Sequence, residues 1–407
     1  MNDMTNQPRH SRYLIIGGGM TADAAARGIR ELDADGAIRL LAAEPDAPYA
    51  RPPLSKSLWK GEPLASIWRA TDELPGVTLE LGRRATRLDP GEHRVVDDQG
   101  TVYTYEKLLL ATGGAPRRLP FGDDEVIYFR TLADYRRLHE LATPGRRIAV
   151  LGGGFIGSEV AAALAMQGCR VVMLFPEEGP GARVFPPALT RHLVTYYREH
   201  GIEVHPGEKV AGIARQGTTS EVTTDSGQRF TVDAVVAGLG IIPDVALAIG
   251  AGLRVDDGIV VDENLRTTNP DIWAAGDVAR FAPAGRAGRG VRVEHEDNAL
   301  SQGRAAGRAM AGDPAPYTHV PFFYSDLFDL GYEAVGTLDA RAPVVADWKE
   351  EFREGVIYYL AGERVQGVLL WNVWGQVDAA RELLAAPGPF TAESLRGRLP
   401  ASLGVAP

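Results

Sequence analysis

The chain has a single cysteine, Cys169, among 407 residues. This excludes an internal disulfide and a Cys-x-x-Cys redox pair, so no electron relay through a protein disulfide is expected. Cys169 stands just before an apolar stretch and reads as a buried structural thiol. Long apolar runs are missing as well. No stretch of about eighteen consecutive apolar residues occurs, so no membrane span is expected. Residues 1–10 are polar and lack the apolar core of a secretory signal. Positive charge is in deficit: the net charge of −10 argues against a general binder of nucleic acid or anionic membrane. These absences together lead us to expect a cytoplasmic protein. Arginine outnumbers lysine, a compositional bias to which we attach no function.

At 45% hydrophobic and 24% charged residues the chain can bury a sizeable core. Its length, at roughly 150 residues per domain, suggests two to three domains. The stretch that organises the rest is Ile148 to Leu151, Gly152-Gly-Gly-Phe-Ile-Gly157 and the helical run that follows. An apolar strand leads into G-x-G-x-x-G at Gly152, Gly154 and Gly157, then a helix, then a second strand, Arg170 to Phe175. The first glycine allows the tight turn, the second lets backbone approach a pyrophosphate, and the third lets helix and strand pack closely. The phosphates then sit at the helix N-terminus. A lone glycine pattern is weak evidence, but here it has the strand–turn–helix context it needs.

A second copy lies at the start of the chain. Tyr13 to Ile16 is an apolar strand, Gly17, Gly19 and Ala22 give G-x-G-x-x-A, and Thr21 to Leu32 reads as a helix. The next strand, Ala37 to Ala43, ends at Glu44. An acid about twenty residues past such glycines binds a ribose hydroxyl. In the later copy Glu177 holds that place and favours NADH over NADPH by repelling a 2′-phosphate, although Arg183 nearby is able to accept one. Two dinucleotide units in one chain point to hydride transfer between a nicotinamide and a flavin.

Between the units, Pro45 to Lys56 is rich in proline and reads as a rigid extended loop carrying Arg51 and Lys56. It is either a solvated surface loop or one folded over the first cofactor. Short strands are expected in 77–88 and 93–105, a strand at 107–110 runs into Ala111-Thr112-Gly113, and a helix spans Leu132 to Leu141. Further helices are expected over 188–200 and 298–310. A strand near Ile272 to Ala275 delivers Gly276 and Asp277 to a turn, where Asp277 is a candidate acceptor for a ribityl hydroxyl or a helix cap. Arg286, Arg289 and Arg292 read as a solvated loop or as a docking patch for an acidic partner. The aromatic-rich tail from Pro321 reads as a separate α+β part with paired strands around Gly362.

Several of these motifs fall in a recognisable order: Gly17-Gly-Gly-Met-Thr-Ala, Tyr49-Ala-Arg-Pro-Pro-Leu-Ser-Lys, Ala111-Thr-Gly-Gly, Gly152-Gly-Gly-Phe-Ile-Gly-Ser-Glu, Ala275-Gly-Asp277 and Pro321-Phe-Phe-Tyr-Ser-Asp326. The chain resembles the pyridine-nucleotide ferredoxin reductases of oxygenase systems. Leu174-Phe-Pro-Glu-Glu-Gly, Val293-Glu-His295, Gly331-Tyr-Glu-Ala-Val-Gly and Leu370-Trp-Asn bring it closer to apoptosis-inducing factor and its bacterial relatives. The resemblance implies an α/β fold with two Rossmann-like domains of the glutathione-reductase kind. FAD would be held by 1–117 and 245–320, NADH by 118–244, and residues 321–407 would form a C-terminal α+β interface or dimerisation domain.

The resemblance also assigns residues. Gly17, Gly19, Ala22, Glu44, Arg51, Lys56, Ala111, Thr112, Gly113, Gly276, Asp277, Glu294, His295 and Tyr324 would face FAD. Gly152, Gly154, Phe155, Ile156, Gly157, Glu159, Glu177 and Gly240 would face NAD. Lys56 and Glu159 would pair beside the flavin ring, Phe155 would flank the nicotinamide and move as NADH enters, and Glu294 and His295 would lie near the rings. No metal is implied. The implied activity is NADH oxidation through FAD to a ferredoxin or another small electron carrier, a quinone or dioxygen. A second reading is a redox sensor, in which a long-lived reduced flavin–NAD charge-transfer complex alters homodimerisation or partner binding. Two departures matter. Tyr324 stands where the family has tryptophan, and the span between Gly336 and Gly355 is too short for the animal factor's regulatory insertion.

Overall fold

The structure, a computed structural model, describes residues 7–282, 290–313 and 315–399. It divides into two compact units, each discontinuous in sequence. The first comprises Met1–Arg51, Leu64–Ala115 and Ile242–Pro321; the second comprises Pro52–Pro63, Pro116–Ile241 and Phe322–Pro407.

The first unit is built on a seven-stranded sheet. Its central strand, Arg9–Ile16, pairs in parallel with Ile38–Ala42 on one side and with Val102–Leu110 on the other. Ile15 lies level with Leu109 on one face and Leu14 with Leu108 on the other, so the central pair of strands is apolar on both faces, as a parallel sheet covered on both sides requires. Val77–Leu81 extends one edge; Arg94–Asp97 and Ala85–Asp89 add antiparallel strands beyond Val102–Leu110. Ile272–Ala274 returns late in the sequence to pair in parallel with Val102–Leu110. Two helices, Met20–Arg30 and Glu296–Met310, pack against each other through glycine. A methyl group on Gly28 would collide with the Arg304 backbone, on Gly303 with the carbonyl of Thr21, and on Gly307 with the carbonyl of Ala25.

The second unit holds a five-stranded, wholly parallel sheet in the order Glu203–Pro206, Arg170–Phe175, Arg147–Leu151, Ala234–Ala237, Val126–Tyr128. The helix Phe155–Met166 follows the central strand, and a three-stranded antiparallel meander spans 210–232. The same unit carries the C-terminal antiparallel sheet, ordered Phe322–Leu327, Leu330–Gly336, Arg364–Trp371, Glu354–Ala361, Val344–Glu350, with Val377–Ala385 packed on it. Tyr196 and Tyr359 join the two sheets' surroundings: Tyr196 donates to Asp329, and Tyr359 to the carbonyl of Val184 at 2.8 Å. The α/β class and the antiparallel tail agree with the sequence reading.

The stretch after Pro45 differs from that reading. It is not one extended loop. Within 45–56 a short 3-10 turn occupies Pro52–Ser55, and beyond it further turns follow at Ser57–Lys60, Leu64–Ile67 and Thr71–Glu73. Proline excludes a regular helix interior but not the first positions of a tight turn. Residues 52–63, moreover, belong to the second unit. Trp59 anchors them there. Its indole N–H donates to the carbonyl of Leu54 at 2.7 Å, its ring meets Tyr135 edge-on at 5.4 Å, and its own carbonyl accepts from Gln167 at 2.8 Å.

Candidate functional site

Both glycine fingerprints form the strand–turn–helix they predict. In the first, Gly17 adopts φ +140°, and a Cβ there would strike the carbonyl of Ala111. In the second, Gly152 adopts φ +108°, and a Cβ would lie 2.5 Å from the carbonyl oxygen of Gly238. The third position behaves as expected in each: Ala22 is fully buried, and Gly157 lies against the carbonyl of Gly152.

The middle glycines are different. Gly19 and Gly154 are the N-cap residues of their helices, neither end has a side-chain cap, and a Cβ on either would meet nothing within 4 Å. The first turns of both helices therefore start beside open space, without a side-chain cap and with the macrodipole behind them, which suits an anion such as a pyrophosphate. The residues present fit a dinucleotide at each place.

In the first unit the structure gathers several predicted residues. Glu44, two residues past the strand Ile38–Ala42, accepts from Tyr49 Oη at 2.6 Å and pairs with Arg51. The charge of Asp277 reaches both Arg51 and His295. Burial pushes the His295 imidazole down to about 4, against the opposing pull of Asp277 and Asp297, so the ring is neutral near pH 7. Gly276 N–H donates to Gln302 Oε1 at 2.9 Å, and Thr112 Oγ1 donates to the Asp244 carbonyl at 2.6 Å. Gly113 accepts from Asp244 N–H at 3.0 Å. Arg292 is not a solvated docking residue. Its side chain is 9% exposed and bonds the Asp277 carbonyl at 3.1 Å and Glu294 Oε1 at 2.5 Å. Arg286 and Arg289 lie outside the described residues.

In the second unit Glu159 is the centre. It sits in the first turn and a half of the helix Phe155–Met166 and is 3% exposed. Lys56 Nζ lies 2.8 Å from Glu159 Oε1, and the same ammonium stands 5.1 Å from the Tyr324 ring centroid. The tyrosine thus takes up a cation–π position beside the ion pair. Phe155 packs on Phe323 at 5.0 Å between centroids, and Ile156 is exposed. Gly240, at φ +81°, accepts from Arg117 N–H at 2.9 Å. Glu177 is held by Arg183 at 2.8 Å, so the acid and the arginine are paired with each other.

Sequence reasoning missed Ser55 and Ser325, which donate to Glu159 at 2.5 and 2.6 Å. Each stands beside a charged residue already picked out, Lys56 and Asp326, but nothing local marks a serine that bonds a carboxylate 104 or 166 positions away. It also missed Asp23, fully buried in the helix after the first fingerprint, which accepts from Arg69, Arg27 and Thr71.

Residues 11–303 match the family model described as pyridine nucleotide-disulphide oxidoreductase. The chain belongs to this family. Residues 306–349 and 346–386 match the model described as apoptosis-inducing factor, mitochondrion-associated, C-term. Over 92% of its length the chain is 33% identical to apoptosis-inducing factor 1, mitochondrial, of Dictyostelium discoideum, covering 78% of that protein. It is 35% identical to rhodocoxin reductase of Rhodococcus erythropolis, over 93% of this chain and 91% of that one. Among solved structures it is similar to the covalent putidaredoxin reductase–putidaredoxin complex, with a TM-score of 0.88 and 30% identity over 94% of this chain and 95% of that chain. The disulphide in the family's description has no counterpart here, since Cys169 is the sole cysteine and is buried. Among the described residues no helix is long and apolar enough to cross a membrane.

Proposed function

We propose that this protein is an FAD-containing NADH oxidoreductase that passes electrons to a ferredoxin-type iron–sulfur protein. The observation that carries the reading is the pair of uncapped helix N-termini, each beside an open glycine, in one chain. Its similarity over nearly full length to reductases whose names specify rhodocoxin and putidaredoxin supplies the acceptor class. We assign 1–117 with 245–320 to FAD, 118–244 to NAD(H) and 321–407 to an interface domain. The buried, unpaired Cys169 fits a cytoplasmic setting.

When bound, the two cofactors supply hydride acceptance and one-electron release. The chain's own residues bind, orient and exclude. Gly19 and Gly154 leave room for phosphates, and the helix amides beside them bind the charge. Glu44 and Glu177 are assigned to ribose hydroxyls, and Arg51 to the charge of the first cofactor. The Lys56–Glu159 pair is assigned to the flavin ring, where a fixed ammonium tunes its electronics. Phe155, with Phe323 behind it, shields the nicotinamide side from water, and neutral His295 offers a polar, uncharged edge. No residue has to act as a general acid.

Anaerobic mixing of the purified yellow protein with NADH tests this. Rapid bleaching, followed by prompt recovery on adding a [2Fe–2S] ferredoxin, is the expected result; failure across several ferredoxins would sink the acceptor. The match of the C-terminal part to the apoptosis-inducing-factor model favours a second reading, a redox sensor whose self-association follows its reduction by NADH. Light scattering with and without NADH separates the two, because an unchanged mass removes the sensor.

A further inference from the structure

A single lysine on a single carboxylate oxygen does not fix either partner. The terminal torsion of a glutamate is broad, and an ammonium on four methylenes slides easily. Yet a cation that tunes a flavin must sit still. The structure supplies the missing restraint. Ser325 Oγ donates to Glu159 Oε1 at 2.6 Å, the same oxygen that faces Lys56 Nζ at 2.8 Å. Ser55 Oγ donates to Oε2 at 2.5 Å. Both serines are buried, at 4% and 1% exposed for Ser55 and Ser325.

The donors come from separate stretches: the 3-10 turn Pro52–Ser55 with the lysine that follows it, and the strand Phe322–Leu327. Bonds to both oxygens, from residues on two separate stretches, fix the plane of the carboxylate. The plane in turn fixes the lone pair that receives Lys56, and the Tyr324 ring limits the ammonium from another direction. A second contact ties the next turn, Ser57–Lys60, to the same strand, Lys60 Nζ to Asp326 at 2.9 Å. Hydrogen bonds to an ionised group are the strong ones, so this clamp is stiff.

We infer that Ser55 and Ser325 are positioning residues for NADH oxidation, acting through Glu159 to hold the Lys56 ammonium in one place. This rests on the assignment of the Lys56–Glu159 pair to the flavin ring. The bland alternative is that the hydroxyls only satisfy a buried carboxylate; they would then affect stability and nothing else.

The test uses the FAD-loaded protein and the variants S55A, S325A, S55A/S325A and K56M. Three quantities are read: the midpoint potential of the bound flavin, kcat against KM for NADH, and the melting temperature. The double variant should shift the midpoint potential in the direction that K56M shifts it, by less. It should lower kcat about tenfold, the effect of losing charge-assisted hydrogen bonds, with KM for NADH changed less than about twofold. A double variant that melts lower but keeps the wild-type potential and kcat overturns the positioning role. If the double variant does not fold, S55A alone decides, since it leaves both donors on Oε1 in place. A wild-type protein that binds FAD but takes no electrons from NADH overturns the functional reading itself. A wild-type protein that does take them, beside unaltered serine variants, overturns only the clamp.

Discussion

Gly307 lies directly on the backbone carbonyl of Ala25, with no room between them for a methyl group. The contact sets how closely the helices Met20–Arg30 and Glu296–Met310 approach, and Met20–Arg30 is the helix that carries the first fingerprint. G307A forces the helices apart. Overpacking of this kind costs about 2 kcal/mol. Urea denaturation should show the loss as a lower midpoint, and an unchanged midpoint would show that the helices have slack.

The first two glycines of the second fingerprint should separate stability from binding. G152A places a side chain at φ +108° and within 2.5 Å of the Gly238 carbonyl oxygen, so a large fall in melting temperature is expected. G154A meets nothing within 4 Å, so its cost should stay under about 1 kcal/mol. The methyl group does, however, occupy the approach to the helix amides, and KM for NADH should rise at least severalfold. Equal losses of stability in the two variants, or a G154A protein with wild-type KM, would contradict this division.

His295 makes the protein sensitive to acid in a defined window. The unfolded imidazole takes its proton near pH 6.5, whereas burial holds the folded one down to about 4. Between these values the unfolded chain binds more protons, so stability falls as the pH drops from about 6.5 toward 4. H295Q removes that contribution. Measured against wild type, its urea midpoint should be relatively higher at pH 4.5 than at pH 7.5; the same difference at both pH values would mean that the ring is not held neutral.

Glu333 predicts the opposite slope. Burial raises its carboxyl above the ordinary range, with only a partial offset from the Gly375 backbone, and Oε2 has no hydrogen-bond partner among the described residues. The folded state then holds its proton to higher pH than the unfolded state does. Its contribution is complete below about pH 4.5 and is lost as the pH rises through the folded value. E333Q should be more stable than wild type by about 1 kcal/mol at pH 7.5 and close to it at pH 4. Thermal melts at the two values decide, and a variant that is weaker at pH 7.5 would show that the charge is used.

Much of this was legible because backbone geometry is a local demand. Gly17 and Gly152 need positive φ, and the strands and helices around them repeat with their own periods, so Leu132–Leu141 and Arg170–Phe175 end where the pattern ends. The Lys56–Glu159 contact came from resemblance, not from any local pattern. The turns between Pro52 and Glu73 are three or four residues long, too short for a period to show. Ser55 and Ser325 were invisible for a different reason: their partner is distant in sequence, and a serine that bonds a carboxylate looks like any other serine. Arg292 read as a surface charge because a run of glycine and arginine gives no hint that Asp277 and Glu294 fold around one of its members.

The strand Ile272–Ala274 completes a sheet whose other members all lie before residue 111. A ribosome making this chain from its N-terminus therefore releases the first fingerprint long before the last strand of its sheet and the helix Glu296–Met310 that backs it exist. The parallel sheet of the second unit, all between Val126 and Ala237, is meanwhile fully emerged. The first nucleotide site to be translated is thus the later one to mature, and a nascent chain arrested once residue 245 has cleared the ribosome should display a formed second fingerprint and an unfinished first.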